Sequence, residues 1–151
     1  MYALNETHDP KLKSFVASAN DGATDFPIQN LPFCVFSRID IHDAFRGGVA
    51  IGDQILDLAA LSKLHLLSGV AAQAMQACAE PTLNRFMAMG RETWSALRLA
   101  LSRLLAQGSA HEGMLHLQAF LAEMRRLIHG CLSNVVGFGP RFAHGARHGL
   151  V

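Results

Sequence analysis

Apolar and polar positions follow a strand-like rhythm in the first part of the chain. Residues 33–39 (FCVFSRI) alternate in the manner of a strand. Residues 49–58 (VAIGDQILDL) form two short apolar runs on either side of Gly52 and Asp53, which predicts a β-hairpin with its turn at those two residues. Several short strands so close together favour a small, partly open barrel or a curled sheet.

Beyond Asp57 the apolar spacing becomes helical. Asp57 is expected to cap a helix over residues 58–67 that stops before Gly69, and residues 70–79 favour a second helix. Thr82 is expected to cap a short third helix over residues 83–89. The clearest helix spans residues 92–107, where one apolar stripe is formed by Trp94, Leu97, Leu101, Leu104 and Leu105.

The C-terminal part of the chain changes in character. A further amphipathic helix is predicted over residues 117–128, from the spacing of Leu117, Phe120, Leu121, Met124 and Ile128. Residues 129–151 contain Arg, His and Gly but no acidic residue, and are expected to form a divergent tail that is either poorly ordered or docked as a single strand. At the other end, residues 1–13 are polar and are expected to form a flexible arm.

Two prolines interrupt the apolar segment of residues 25–36 (DFPIQNLPFCVF), which we call the proline segment. Pro27 and Pro32 exclude a helix, and Phe26 and Leu31 before them are restricted to extended conformations. The simplest interpretation is that these apolar side chains belong to the core. Alternatively, part of the segment faces a partner, since proline-constrained chains dock with little loss of entropy.

Composition and charge restrict the class of protein. With 151 residues, 50% of them hydrophobic and 17% charged, the chain fits one ordered globular domain. A net charge of +1 gives no field that would favour nucleic acid or a membrane surface. No secretory signal and no transmembrane run is found, and three scattered cysteines, Cys34, Cys78 and Cys131, suggest reduced thiols, so a cytoplasmic location is expected.

Candidate chemistry is sparse. No Walker loop, GxGxxG, GxSxG or HExxH motif occurs. The pair His144 and His148 has a spacing that chelates metals on a helix, but the glycines around it disfavour a helix, and no carboxylate or cysteine lies nearby to complete a set of ligands. Four aspartates could serve as acid–base groups or cation ligands, but turn, capping and solvated roles fit them better: Asp40, Asp43, Asp53 and Asp57.

The proline segment, the following GGVAIGDQILDL and residues 81–105 (PTLNRFMAMGRETWSALRLALSRLL) together resemble the N-terminal domain of the fumarylacetoacetase family. The resemblance covers residues 14–107. It implies an α+β fold, a small SH3-like partly open β-barrel with additional α-helices, to which we add a helical C-terminal part over residues 108–128.

The resemblance also implies a parent reaction, hydrolysis of 4-fumarylacetoacetate to fumarate and acetoacetate in tyrosine and phenylalanine catabolism. In that family calcium or magnesium and a histidine act in a separate catalytic domain that opens with a motif of the kind IGDYTDFY. No Asp or Glu follows Glu123 here, so we assign no catalytic residue, metal ligand or cofactor to this chain.

Two functions are therefore expected. The chain is a non-catalytic N-terminal portion of such a hydrolase, inactive alone, or it is an interaction or regulatory module that pairs with itself or with a catalytic domain. A gene fragment, a shifted reading frame, an alternative terminus and a stand-alone protein would each account for the tail. The residues expected to dock are Phe26, Pro27, Asn30, Leu31, Pro32, Phe33, Leu117, Phe120, Leu121 and Met124.

Overall fold

A computed structural model describes residues 5–38, 43–117 and 120–123. Its strands form one antiparallel sheet in the order β1-β2-β3-β4. The strands are β1 (Phe33–Phe36), β2 (Arg46–Ile51), β3 (Gln54–Asp57) and β4 (Leu121–Glu123). The helices are α1 (Leu58–Ser62), α2 (Gly69–Cys78), α3 (Asn84–Ala88), α4 (Arg91–Leu105) and α5 (Glu112–Leu117), with short 3-10 helices at Glu6–His8 and Ala17–Asn20. The α+β class is thus confirmed.

The predicted hairpin between β2 and β3 is present. Gly52 occupies the first loop position with a φ of 55°, a conformation that glycine adopts without steric cost. Asp53 completes the turn, where its backbone N–H donates to Ser18 Oγ at 3.1 Å and its carboxylate accepts from the same hydroxyl at 2.5 Å. The hairpin is therefore tied to the 3-10 helix Ala17–Asn20.

The core lies between the sheet and the helices. Helix α4 packs against α2, and α1 packs against both α2 and β2. The predicted stripe on α4 is confirmed, because Leu97, Leu101, Leu104 and Leu105 are all buried and Trp94 is half-buried. These leucines join the side chains of the sheet and of the proline segment in one continuous apolar cluster.

Three predictions about helix ends need correction. The helix that Asp57 caps ends at Ser62, and the loop that follows contains His65 with a φ of 51°, which a continuing helix cannot accommodate. Gly69 begins α2 instead of ending the helix before it. Thr82 does not cap α3, whose N-cap is Leu83 without a side-chain hydrogen bond.

The predicted helix over residues 117–128 is wrong where the structure describes it. Helix α5 ends at Leu117, and Leu121–Glu123 form β4, which pairs with the outer side of β3. The N–H of Asp57 also donates to the carbonyl oxygen of Phe120 at 2.8 Å. Pairing with β3 satisfies backbone groups that would otherwise lie at a sheet edge, and this outweighs the helical spacing of the apolar residues. Residues 124–151, including the predicted tail, lie outside the described residues.

The N-terminal residues 5–13 lie against the body of the domain. The N–H of Gln107, which follows α4, donates to the carbonyl of Lys13 at 2.9 Å, and Ser14 Oγ donates to the carbonyl of Leu105 at 2.7 Å. Arg103 on α4 forms an exposed ion pair with Glu6. The mobility expected of residues 1–13 stays a prediction.

Candidate functional site

The proline segment begins with a turn and continues as a strand. The N–H of Asn30 donates to the carbonyl of Pro27 at 2.8 Å, and the Asn30 side chain donates to the carbonyl of Asp25 at 3.0 Å. Residues 27–30 therefore reverse direction instead of running extended as predicted. Beyond Pro32 the chain straightens into β1, which confirms the prediction of a first strand here.

Backbone hydrogen bonds tie the proline segment to β2. The carbonyl of Phe26 accepts from the N–H of Gly52 at 2.8 Å, and the carbonyl of Pro32 accepts from the N–H of Ala50 at 3.0 Å. Proline has no N–H to donate, but its carbonyl remains a good acceptor. The segment is thus fixed at both ends of its turn before β1 begins.

Gln29 connects the proline segment with two other parts of the chain. Its side-chain Nε2 donates to the carbonyls of Asp9 at 2.9 Å and Leu12 at 2.8 Å. Arg98 on α4 donates to the carbonyl of Gln29, and burial lowers the pKa of this guanidinium. The pattern of apolar residues gave no signal for Gln29 or Arg98, because both act through backbone atoms of distant residues.

The structure divides the predicted docking residues by burial. Three of them lie in the core of the domain: Leu31, Pro32 and Phe120. Five are half-buried and present part of their side chain to solvent: Phe26, Pro27, Asn30, Phe33 and Leu121. Leu117 ends α5 and Met124 lies outside the described residues. A docking role for the segment therefore depends on the half-buried members.

Phe33 belongs to an aromatic cluster with Phe86 and Trp94. The ring centroids of Phe33 and Phe86 are 4.7 Å apart, and those of Phe86 and Trp94 are 6.4 Å apart, both at a tilt of 53°. Trp94 Nε1 donates to the carbonyl of Phe86 at 2.8 Å, which satisfies the indole N–H. Phe86 is buried while Phe33 and Trp94 are half-buried, so the aromatic cluster reaches the surface.

A charged cluster that sequence reasoning missed lies at the other end of β1 and β2. Arg46 Nε donates to Asp57 Oδ2 at 2.7 Å, and Arg46 Nη1 lies 2.6 Å from Asp43 Oδ2. The guanidinium carbon of Arg46 lies 4.6 Å from the centre of the Phe36 ring, a cation–π geometry. Arg46 and Phe36 are partners in the β1–β2 register, which explains the contact. We call Arg38, Asp43, Arg46 and Asp57 the charged cluster.

Asp57 is buried and has several partners within the charged cluster. Its Oδ1 accepts from the N–H of Ala60 at 2.9 Å, so the predicted capping role is confirmed. Its Oδ2 accepts from Arg46, and Arg38 Nη2 lies 4.0 Å from the same oxygen. A buried carboxylate must be paired, and Arg46 supplies the cation; the sequence pattern contains no signal for this pair, because it depends on the burial of Asp57 and on the register of the strands.

Asp43 is held within the charged cluster, and its predicted solvated role is wrong. Its Oδ1 accepts from the N–H of Arg38 at 2.7 Å, and its Oδ2 pairs with Arg46. Desolvation by itself raises the pKa of Asp43, but the Arg38 amide and the Arg46 guanidinium outweigh it and lower the pKa below its ordinary value. Desolvation likewise lowers the pKa of Arg46, and its pairs with Asp57 and Asp43 outweigh this and raise it.

The remaining candidates do not converge on a site among the residues described. There, no group of three His, Cys, Asp or Glu side chains is placed to hold a metal ion. Asp53 serves the turn as predicted, whereas Asp40, His144 and His148 lie outside the description.

Two of the three cysteines lie within the described part of the chain. Cys34 and Cys78 are buried and are not joined to each other by a disulfide, which agrees with the prediction of reduced thiols. Burial raises the pKa of the Cys78 thiol to about 12, so this thiol stays protonated and unreactive. In the described ranges there is also no helix long and apolar enough to cross a membrane.

Comparison with known proteins identifies a family. The model of the fumarylacetoacetase N-terminal family matches residues 29–129. A fumarylacetoacetase of Homo sapiens is 46% identical over 99 residues, and one of Arabidopsis thaliana is 42% identical over 95 residues. These alignments cover 64% and 63% of this chain, and 22% of each relative.

A fumarylacetoacetase of Rattus norvegicus aligns over more of the chain. It is 35% identical over 144 residues, which is 91% of this chain and 33% of the relative. The chain therefore spans between about a fifth and a third of the length of these relatives. The family match also continues past residue 107, where the resemblance noted from the sequence ends.

Proposed function

The chain belongs to the fumarylacetoacetase N-terminal family, and on that premise we propose that it serves as the non-catalytic N-terminal domain of a fumarylacetoacetase-like hydrolase. The observation that carries the proposal is the family match over residues 29–129, which includes all four strands of the described sheet. The parent reaction would be hydrolysis of 4-fumarylacetoacetate to fumarate and acetoacetate in tyrosine and phenylalanine catabolism. The proposal extends to a cytoplasmic location, which is favoured by the lack of a disulfide between the two described cysteines, Cys34 and Cys78.

The proposal includes the finer fold of the family, an SH3-like partly open barrel. The antiparallel order β1-β2-β3-β4 supports it, because such barrels are built from short antiparallel strands that pair in chain order. The close approach at Gly48 also supports strong curvature, because an added Cβ there would lie 2.5 Å from Ile55 Cγ2 and 2.8 Å from Phe36 Cε1.

The residues described do not fit the calcium or magnesium ion that the family implies. A hard cation needs several free oxygen ligands. Both carboxylate oxygens of Asp43 and of Asp57 already accept hydrogen bonds or ion pairs from this chain. We therefore assign these aspartates to holding the fold, and no step of the parent reaction is attributed to them.

An activity assay tests the proposal. The purified chain is mixed with 4-fumarylacetoacetate and calcium, and the absorbance of the diketone is followed, with human fumarylacetoacetase as the positive control. We expect no loss of absorbance above the uncatalysed rate with the chain alone. Turnover that scales with the amount of chain would contradict a non-catalytic role.

A second function, as an interaction module, is favoured by the aromatic cluster and the half-buried part of the proline segment. Hydrogen bonds from Asn30, Gly52 and Ala50 already fix this segment, so docking would cost little further ordering. The partner would be a second copy of the chain or a catalytic domain. Phe33 is the natural anchor, since aromatic side chains dominate the energetics of interfaces.

Sedimentation of the wild type and two variants tests self-association. We expect a dimer or larger species at micromolar concentration, a shift toward monomer for Phe33→Ser, and no shift for Val70→Ser. Val70 is a matched control because it is an exposed apolar residue outside the proline segment, on α2. A monomeric wild type would exclude self-association. Failure to co-elute with a separately produced catalytic domain would then exclude docking as well.

A further inference from the structure

We draw no further inference here: the strongest candidate, the charged cluster of Arg38, Asp43, Arg46 and Asp57 at one end of the sheet, carries nothing because its two positive and two negative charges balance, each of its carboxylate oxygens already has a partner within the chain, and the unpartnered Nε of Arg38 is covered by the chain itself and out of reach of a ligand.

Discussion

The two faces of strand β2 are held in opposite ways. On one face, Gly47 lies directly against the end of helix α2, where an added Cβ would come within 1.9 Å of the carbonyl oxygen of Cys78. On the other face, Arg46 spreads over the Phe36 ring and binds Asp43 and Asp57. The first contact is possible because Gly47 has no side chain, and the second depends on the pairing of opposite charges.

This difference indicates which substitutions each face of β2 can tolerate. Close packing against backbone leaves no room for adjustment, because a helix carbonyl cannot move without its helix. A charged network, in contrast, fails when one partner is removed, since the other is then buried without compensation. Neither arrangement needs a ligand, and both fix the sheet that presents the proline segment.

Removal of Asp57 should have the largest effect. Asp57→Ala leaves Arg46 without its buried partner and α1 without its cap, and we expect a loss of about 3–5 kcal/mol in the free energy of unfolding. Asp57→Asn should cost less, because an amide oxygen can still accept from Ala60. Urea denaturation measures both variants. A loss under about 1 kcal/mol for Asp57→Ala would show that the charged cluster is not a main support of the fold.

Substitution of Gly47 tests the packed face. Gly47→Ala should cost about 3 kcal/mol, because the new Cβ overlaps a backbone atom that cannot move aside. Gly48→Ala is a neighbouring control with a smaller expected loss, since its added Cβ meets the side chains of Ile55 and Phe36. Gly22→Ala meets nothing within 4 Å and should stay within about 0.5 kcal/mol of the wild type. Equal losses for Gly47→Ala and Gly48→Ala would remove the distinction between backbone and side-chain contacts.

Low pH should destabilise the folded protein through protonation of Asp43 in the charged cluster. Because its pKa is lower in the folded state than its ordinary value of 3.8, the folded protein binds fewer protons than the unfolded chain. The stabilisation is therefore complete well above that value and is lost as the pH falls through the lowered pKa. Urea midpoints measured from about pH 5 downward should fall less steeply for Asp43→Asn than for the wild type. Identical slopes would show that Asp43 is not coupled to folding.

The ion pair between Glu6 and Arg103 should have the smallest effect. Both side chains are exposed, so solvent screens their attraction, although each shifts the pKa of the other toward its charged form. Arg103→Ala should leave the urea midpoint unchanged within error. A clear loss of stability would mean that charge pairing at the surface matters here as much as in the charged cluster.

Local signals in the sequence were sufficient where one short stretch determines the structure. The Gly52–Asp53 turn, the Asp57 cap and the apolar stripe on α4 each follow from neighbouring residues alone. The Gly52–Asp53 turn also places β2 beside β3. The family resemblance extended this local information to the α+β class and to the N-terminal family.

Long-range contacts explain what the sequence did not predict. The spacing of Phe120 and Leu121 suits a helix as well as a strand. The strand β4 forms because the edge of β3 that does not pair with β2 offers backbone hydrogen bonds. Arg46 on β2 pairs with Asp57 on the neighbouring strand β3, and this pair depends on the register of the two strands. No pattern within a single segment contains that register, so the charged cluster became visible only in the folded chain.

A chimera provides the most direct test of the central claim, that this chain is an N-terminal domain of the fumarylacetoacetase family. Residues 29–129, the range of the family match, would replace the aligned residues of human fumarylacetoacetase. The measurement is the rate at which the folded chimera hydrolyses 4-fumarylacetoacetate. We expect activity within about tenfold of the human enzyme, which corresponds to a change of about 1.4 kcal/mol in the activation free energy. A chimera that folds and assembles like the human enzyme but shows no hydrolysis would contradict the claim.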